Sequence, residues 1–478
     1  MSKLGLPNPL TRTVSLGVTG FSRSGKTVFI AALAHALLTA DHSKERPGKA
    51  PLAEFGPIQR NTFLGAQFLD NIYVDEAQFP FRQTRDALCN QADWPTPTEG
   101  LSRLVLDLTW KRKSWLPWNT TKRGAVTPSG IGHLKLELID YPGEWLIDLP
   151  MLKMTFGEWS ENLLDRAQEG TRAALGFDFI KATENPPLSD NDDGDLEEKL
   201  AKLWAEYLRN ASGKGLVYNQ PGRLLRPDQL KHSPIIRLVP LPKSWEKKQL
   251  YSMMEKRFHQ YIKKVVKPFY KQTFATIDRQ IVLIDYLKAL QSGKEVFDEM
   301  QAALRVTLKS FHYGKGALLQ WLRGARTTHV LFAASKADHV VQTDRSLLEE
   351  LLKNMVSDLD DYRRLRNSSL THRYMALASV RATLDRPLKV DLPTAQRKGQ
   401  EGVSINIRQV LFGKRAGRDA PKHYDPNDLP RDFPPDWDNM AFHFLEFEPN
   451  PDPKARYQGF QSINLGRALE FLIGDKFR

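Results

Sequence analysis

The chain has 478 residues, of which 41% are hydrophobic and 26% charged, and a formal net charge of +13. A mean hydropathy of -0.46, with no apolar run approaching about 18 residues, excludes a membrane-spanning helix. The single cysteine, Cys89, excludes an intrachain disulfide, and the eleven histidines lack the close pairing of a zinc site.

The basic balance attracts nucleic acid, anionic lipid and nucleotides alike and selects none of them. MSKLGLPNPLTRT shows no signal-peptide pattern, so the expected location is cytoplasmic. In chain order, residues 13–19 are β-rich, Gly20 breaks the strand, and apolar positions 29, 30, 33, 37 and 38 follow at helical spacing. Residues 41–60 read as a loop. LSRLVLDLTW (101–110) and HLKLELID (133–140) are strands whose turn-rich connection suits an antiparallel hairpin. From 151 to 275 the pattern is mostly helical and polar. Strand signals return at RQIVLID (279–285), THVLFAAS (328–335) and RYMALAS (373–379), separated by helical stretches near 286–306 and 345–365.

That alternation predicts an α/β fold with a mostly parallel sheet and one antiparallel edge hairpin. The expected organisation is 1–150 and 276–478 forming one nucleotide-binding domain, with a helical insertion over 151–275. The stretch 386–440 reads as irregular and is followed by FHFLEF (442–447), and NLGRALEFLI (464–473) reads as a closing helix.

Between the first strand and helix lies GFSRSGKT, which fits G-x-x-x-x-G-K-[ST] at every fixed position. Gly20 and Gly25 allow the tight turn and the approach of backbone N–H groups to phosphate oxygens. Ser22, Arg23, Ser24 and Val28 complete the expected lining of the loop. Lys26 reaches the β- and γ-phosphates, the Thr27 hydroxyl binds Mg²⁺, and the helix N-terminus adds positive charge. LKLELIDYPGEW then supplies Asp140 and Gly143 at D-x-x-G spacing. Asp140 is expected to hold the metal through a water, and Gly143 to sense a γ-phosphate. Asp285, ending QIVLID, is a rival for the metal.

The base is addressed further on. THVLFAASKADHV carries Ser335-Lys336-Ala337-Asp338 and then His339 after an apolar strand. Asp338 suits the N1–H and exocyclic amine of guanine, a donor pair that adenine lacks, and Lys336 suits the base plane. One strand later Ser379 and Val380 place backbone amides near the guanine O6. In ADWPTPTEG, Thr98 (with Thr96 as the alternative) is the candidate switch threonine for Mg²⁺, and Trp94 a candidate cover for ribose or base.

Phosphate loop, D-x-x-G, S-K-A-D and A-S-V in that order resemble the Ras-like GTPase pattern. More closely, GFSRSGKTVFIAAL, ADWPTPT, DYPGEW, DRQIVLIDYLKAL and SKADHV resemble the YcjX-like family of bacterial stress-inducible P-loop proteins. The resemblance covers most of the chain. It implies a Ras-like nucleotide domain with a helical insertion, GTP and GDP binding, Mg²⁺ and slow GTP hydrolysis, making the chain a nucleotide-dependent switch in a stress response. Family-level descriptions as ATPases keep an ATPase as one alternative; a membrane-associated adaptor without turnover is the other.

Two features depart from Ras-like practice. Glu144 follows Gly143 where a water-orienting glutamine is usual, so it is the catalytic candidate beside Lys26 and limits the expected rate. Lys26 and Asp140 lie 114 positions apart, which leaves residues 41–93 without a role. SDNDDGDLEEKL imitates a calcium loop, but its twelfth position from Ser189 is Leu200 rather than glutamate. WKRKSWLPWNTTKRG (110–124) interleaves three tryptophans with five lysines and arginines. This hairpin is the candidate surface for an anionic membrane or a protein partner, peripheral at the inner membrane. No specific nucleic acid is expected, and the chain is expected to be a monomer.

Overall fold

The computed structural model describes residues 12–40, 51–70, 77–91, 93–96, 100–112, 130–187, 194–225, 230, 233–311, 327–357, 370–392, 404–418, 420–425, 429–431, 442–449 and 455–477. Its strands are β1 (Arg12–Gly20), β2 (Phe63–Phe68), β3 (Ala77–Gln78), β4 (Ser102–Lys111), β5 (Ile131–Asp140), β6 (Arg279–Ile284), β7 (His329–Ala334), β8 (Thr371–Ala376), β9 (Thr383–Leu392), β10 (Ser404–Gly413) and β11 (Lys422–Tyr424). The helices are α1 (Lys26–Thr39), α2 (Gly56–Gln59), α3 (Phe81–Asp86), α4 (Glu144–Ile147), α5 (Phe156–Arg166), α6 (Gly170–Thr183), α7 (Asp195–Gly213), α8 (Gln249–Tyr261), α9 (Tyr286–Gln291), α10 (Lys294–Phe311), α11 (Arg345–Ser357), α12 (Ala455–Gln458) and α13 (Leu465–Ile473). Among the described residues no helix is long and apolar enough to cross a membrane.

The main sheet runs β2-β4-β5-β1-β6-β7-β8. From β5 to β8 every neighbour is parallel, because helices or the helical stretch carry the chain back between strands. β4 pairs antiparallel with β5 from Ser102 opposite Asp140 to Lys111 opposite Ile131, as the turn-rich connection predicts. β2 then covers the outer side of β4 in antiparallel pairing, which gives part of the stretch 41–93 a place as edge strand.

Both sheet faces are covered, and β6 and β7 accordingly read as continuous apolar runs rather than alternating ones. On one face Leu16, Val18, Leu283 and Leu331 pack with α1 and α13. On the other, Ile139, Val282, Phe332 and Ala334 share a core with α10, α11 and the aromatic residues Phe156, Trp159, Trp204 and Phe258 of the helical stretch. Between β5 and β6 the described residues form helices and loops without strands. The apolar stripe of 253–270 builds this core: Phe258, Tyr261, Ile262, Val265, Val266 and Phe269 are all buried.

α1 is buried nearly all round, its flanks covered by α3, β2 and α12. The stretch expected to be irregular instead contains β9 and β10, an antiparallel hairpin in register from Thr383 opposite Gly413 to Leu392 opposite Ser404. Its strands carry Pro387 and many charges, and Leu388 is exposed, so the apolar alternation of a core-facing strand is missing. FHFLEF (442–447) forms no strand. It lies along the β10–β11 connection through one bridge, Arg415 with Phe447, and buries Phe444 and Phe447. Trp110, counted with the hairpin tryptophans, is a core residue packed on Phe477 at 4.7 Å. Residues 113–129, which hold Trp115, Trp118 and the rest of that candidate surface, lie outside the described residues.

One buried ionic hub fastens the helical stretch to α10. Arg172 on α6 donates to both carboxylate oxygens of Glu299 on α10, at 2.5 and 3.0 Å. It also donates to the Tyr207 hydroxyl on α7, the Asn219 amide oxygen and the Tyr218 carbonyl. Glu299 is 8% exposed, so removing the guanidinium leaves a buried carboxylate short of partners. Arg172→Met should cost roughly 3–5 kcal/mol of unfolding free energy, measurable by urea denaturation.

Candidate phosphate-loop site

The candidate residues gather at the C-terminal ends of β1, β5, β6, β7 and β8, the edge at which open α/β sheets place ligands. β1 ends at Gly20, opposite Leu283 of β6, and Val18 stands opposite Asp140 of β5. A β-carbon at residue 20 would come within 2.3 Å of the Leu283 carbonyl and 2.4 Å of the Ser24 hydroxyl. The chain then turns tightly: the Ser24 amide donates to the Phe21 carbonyl at 3.1 Å. Arg23 and Gly25 take left-handed conformations, with φ of 65° and 90°. Such alternation turns successive amides toward one concave spot, where an anion finds donors.

Gly25 also precedes α1, which has no side-chain cap and no acidic residue in its first turn. The partial positive charge of the helix start therefore faces the loop. The Lys26 ammonium lies back across the loop, donating to the carbonyls of Gly20 at 2.7 Å and Phe21 at 3.3 Å. Ser22 and Arg23 are exposed, Val28 is half-buried, and Ser24 and Thr27 are buried.

Asp140 is 1% exposed at the end of β5, and Thr27 is the second residue of α1. A hydroxyl and a carboxylate are hard oxygen donors, the chemistry Mg²⁺ prefers. Asp285, the rival carboxylate, has other tasks. It accepts the Lys288 amide at 3.2 Å as the cap of α9, and it pairs with the Lys336 ammonium at 2.5 Å.

Gly143 and Glu144 lie directly on the loop. The Gly143 amide donates to the Gly20 carbonyl at 3.2 Å, and the Ser22 amide donates to Glu144 Oε1 at 3.0 Å. Behind them the helical stretch grips the same segment. Asp148 accepts the Gly222 amide at 2.9 and 3.0 Å and the Tyr261 hydroxyl at 2.6 Å. The Arg223 guanidinium sits 3.2 Å from the centre of the Trp145 ring. Sequence reasoning missed Asp148, Gly222, Arg223 and Tyr261; only the four-residue spacing of Glu144 and Asp148 hinted at opposite ends of one helical turn.

At the base-reading end, Lys336 is left-handed with φ 60°. The S-K-A-D and A-S-V loops are laced together, the Ala337 amide donating to the Leu377 carbonyl at 3.1 Å. Ser379 is half-buried and Val380 buried. Asp338 is 2% exposed, and its Oδ2 accepts the amides of Ala382 at 2.7 Å and Thr383 at 3.3 Å. The carboxylate thus already holds the turn beyond Val380. Burial lowers the pKa of His339, whose ring meets the edge of Phe447 at 5.2 Å. Trp94 donates its indole N–H to the Phe447 carbonyl at 2.9 Å, so it reaches this same corner. Thr96 is exposed, and Thr98 lies outside the described residues.

The YcjX-like family, DUF463, matches residues 14–477. The chain is 32% identical over 482 residues to the "Ras-like GTPase YcjX" of Escherichia coli (strain K12), covering 98% of this chain and 96% of the relative. It is 31% identical over 492 residues to the "Ras-like GTPase YcjX" of Shewanella oneidensis, covering 97% and 95%.

Asp148 generates a pH prediction. Burial lifts its carboxyl from the ordinary 3.8 to about 7, against the opposing pull of Tyr261, Gly222 and Arg223. A carboxyl raised in the folded state stabilises the fold fully below its unfolded pKa, and that contribution is lost as pH rises through the folded value. Relative to Asp148→Asn, the wild-type unfolding free energy should therefore fall between about pH 4 and about pH 7 and stay level above. Denaturant titrations across that range check it.

Proposed function

The chain belongs to the YcjX-like family, and from that premise we propose that it is a GTP-binding protein that hydrolyses GTP slowly and acts as a switch. The observation that carries the reading is the loop 20–27. Its left-handed turns, helix start and Lys26 converge on one concave spot beside a buried strand-end carboxylate. Its relatives' name, Ras-like GTPase, agrees with this chemistry.

In this reading the loop amides and Lys26 hold the β- and γ-phosphates. Thr27 and Asp140 would hold Mg²⁺, Asp140 through water, and the ion would offset phosphate charge when bound. Thr98 joins them when the terminal phosphate is present. Lys336, Ser379, Val380 and one oxygen of Asp338 meet guanine, while Trp94 and His339 close the corner beside it. Hydrolysis joins a water oxygen to the γ-phosphorus and breaks its bond to the bridging oxygen, yielding GDP and inorganic phosphate. Glu144 can accept a proton from that water but offers no amide N–H, so turnover is slow.

One observation favours the ATPase as second reading. Asp338 Oδ2 already serves two backbone amides, which reduces what the carboxylate offers to guanine's two donors. Competition between GTP and ATP for a labelled nucleotide, with Mg²⁺ present, separates the two. GTP should displace the label and a large excess of ATP should not; the reverse result selects the ATPase. Lys26→Ala should weaken binding by tenfold or more, about 1.4 kcal/mol, and unchanged affinity would dismiss the loop assignment.

A further inference from the structure

We infer that Glu144 is a specificity-determining residue, a carboxylate that occupies a phosphate-loop donor and biases the site toward nucleoside diphosphate over triphosphate. The inference rests on the nucleotide reading above and concerns the terminal phosphate alone. Glu144 Oε1 accepts the exposed Ser22 amide at 3.0 Å, a loop N–H that would otherwise serve a phosphate oxygen. The carboxylate reaches the loop from the β5 side, the side of Asp140 and Gly143 and therefore of the terminal phosphate.

The neighbouring contacts make this a closed arrangement. The Gly143 amide, the expected sensor of the terminal phosphate, is spent on the Gly20 carbonyl at 3.2 Å. A β-carbon on Gly143 would lie 2.9 Å from that carbonyl oxygen, so no space separates the two segments. A terminal phosphate must displace both bonds and approach a carboxylate of like charge. A diphosphate disturbs neither. Glu144 Oε2 is buried without a hydrogen-bond partner among the described residues, an unfavourable state for an acceptor that opening would relieve. The far end of the segment is held by Asp148 to Gly222 and Tyr261, so movement begins at Gly143 and reaches the helical stretch through α4.

The test compares wild type with Glu144→Gln and Glu144→Ala in the full chain. Affinities for GDP and a non-hydrolysable GTP analogue are measured by calorimetry with Mg²⁺. Removing the charge should raise analogue affinity about tenfold, between the roughly fivefold effect of a unit-charge repulsion at close range in bulk water and the larger effect near a protein surface, with GDP affinity moving much less. Equal movement of both affinities, or none, would overturn the assignment. Pyrophosphate and tripolyphosphate, measured in parallel, carry no base. The same selective gain for tripolyphosphate supports the gate even where guanine recognition fails, and its absence removes the gate while leaving the GTP reading intact.

Discussion

The backbone at residue 20 is enclosed on three sides. The Leu283 carbonyl lies where a β-carbon would be, the Ser24 hydroxyl fills the space beneath, and Gly143 presses on the carbonyl side. Three strand ends, those of β1, β5 and β6, therefore meet around one glycine, and the rest of the site is positioned from there. The parallel register sets Asp140 beside Val18. The loop's tight turn delivers α1 with its first amides pointing back at the sheet edge. Any widening at residue 20 would separate the carboxylate from the helix start and dissolve the concave spot between them.

From that point the molecule is organised as a segment held at both ends. Residues 143–148 touch the phosphate loop through Gly143 and Glu144 and the helical stretch through Trp145 and Asp148. The polar contacts at the far end are buried, short and partly charged. Those at the near end are two single bonds, one of them exposed. The weaker end faces the phosphate loop, so the segment opens more easily there than at the helical stretch.

The sequence made the parallel sheet legible because its central strands are covered on both faces, so 281–284 and 330–334 appear as unbroken apolar runs. The phosphate loop was equally plain, since its glycines answer to backbone geometry that few other residues satisfy. What escaped had no local signature. VFIAALAHALL is apolar all round, which on its own indicates a helix enclosed by other chain segments, yet nothing nearby names α3, β2 and α12 as the cover. β9 and β10 gain their stability from pairing with each other, so Pro387 and their charges masked them. The Asp148 contacts join residues 74 and 113 positions apart, a distance no spacing rule spans. Asp338 was recognised as an acid suited to a base, but its hold on Ala382 and Thr383 depends on how two loops cross.

The cover over α1 has a consequence for the order in which the protein can assemble. α1 is one of the earliest elements to leave the ribosome, but part of the core that buries it comes from residues 455–477: Ala455 beside His35, and Leu465, Leu469 and Leu472 in the same cluster. Until those residues are synthesised, an apolar helix carrying the phosphate loop waits without its lid. Such a nascent chain keeps the apolar strip that faces 455–477 uncovered until translation is nearly complete, a surface that a chaperone can hold.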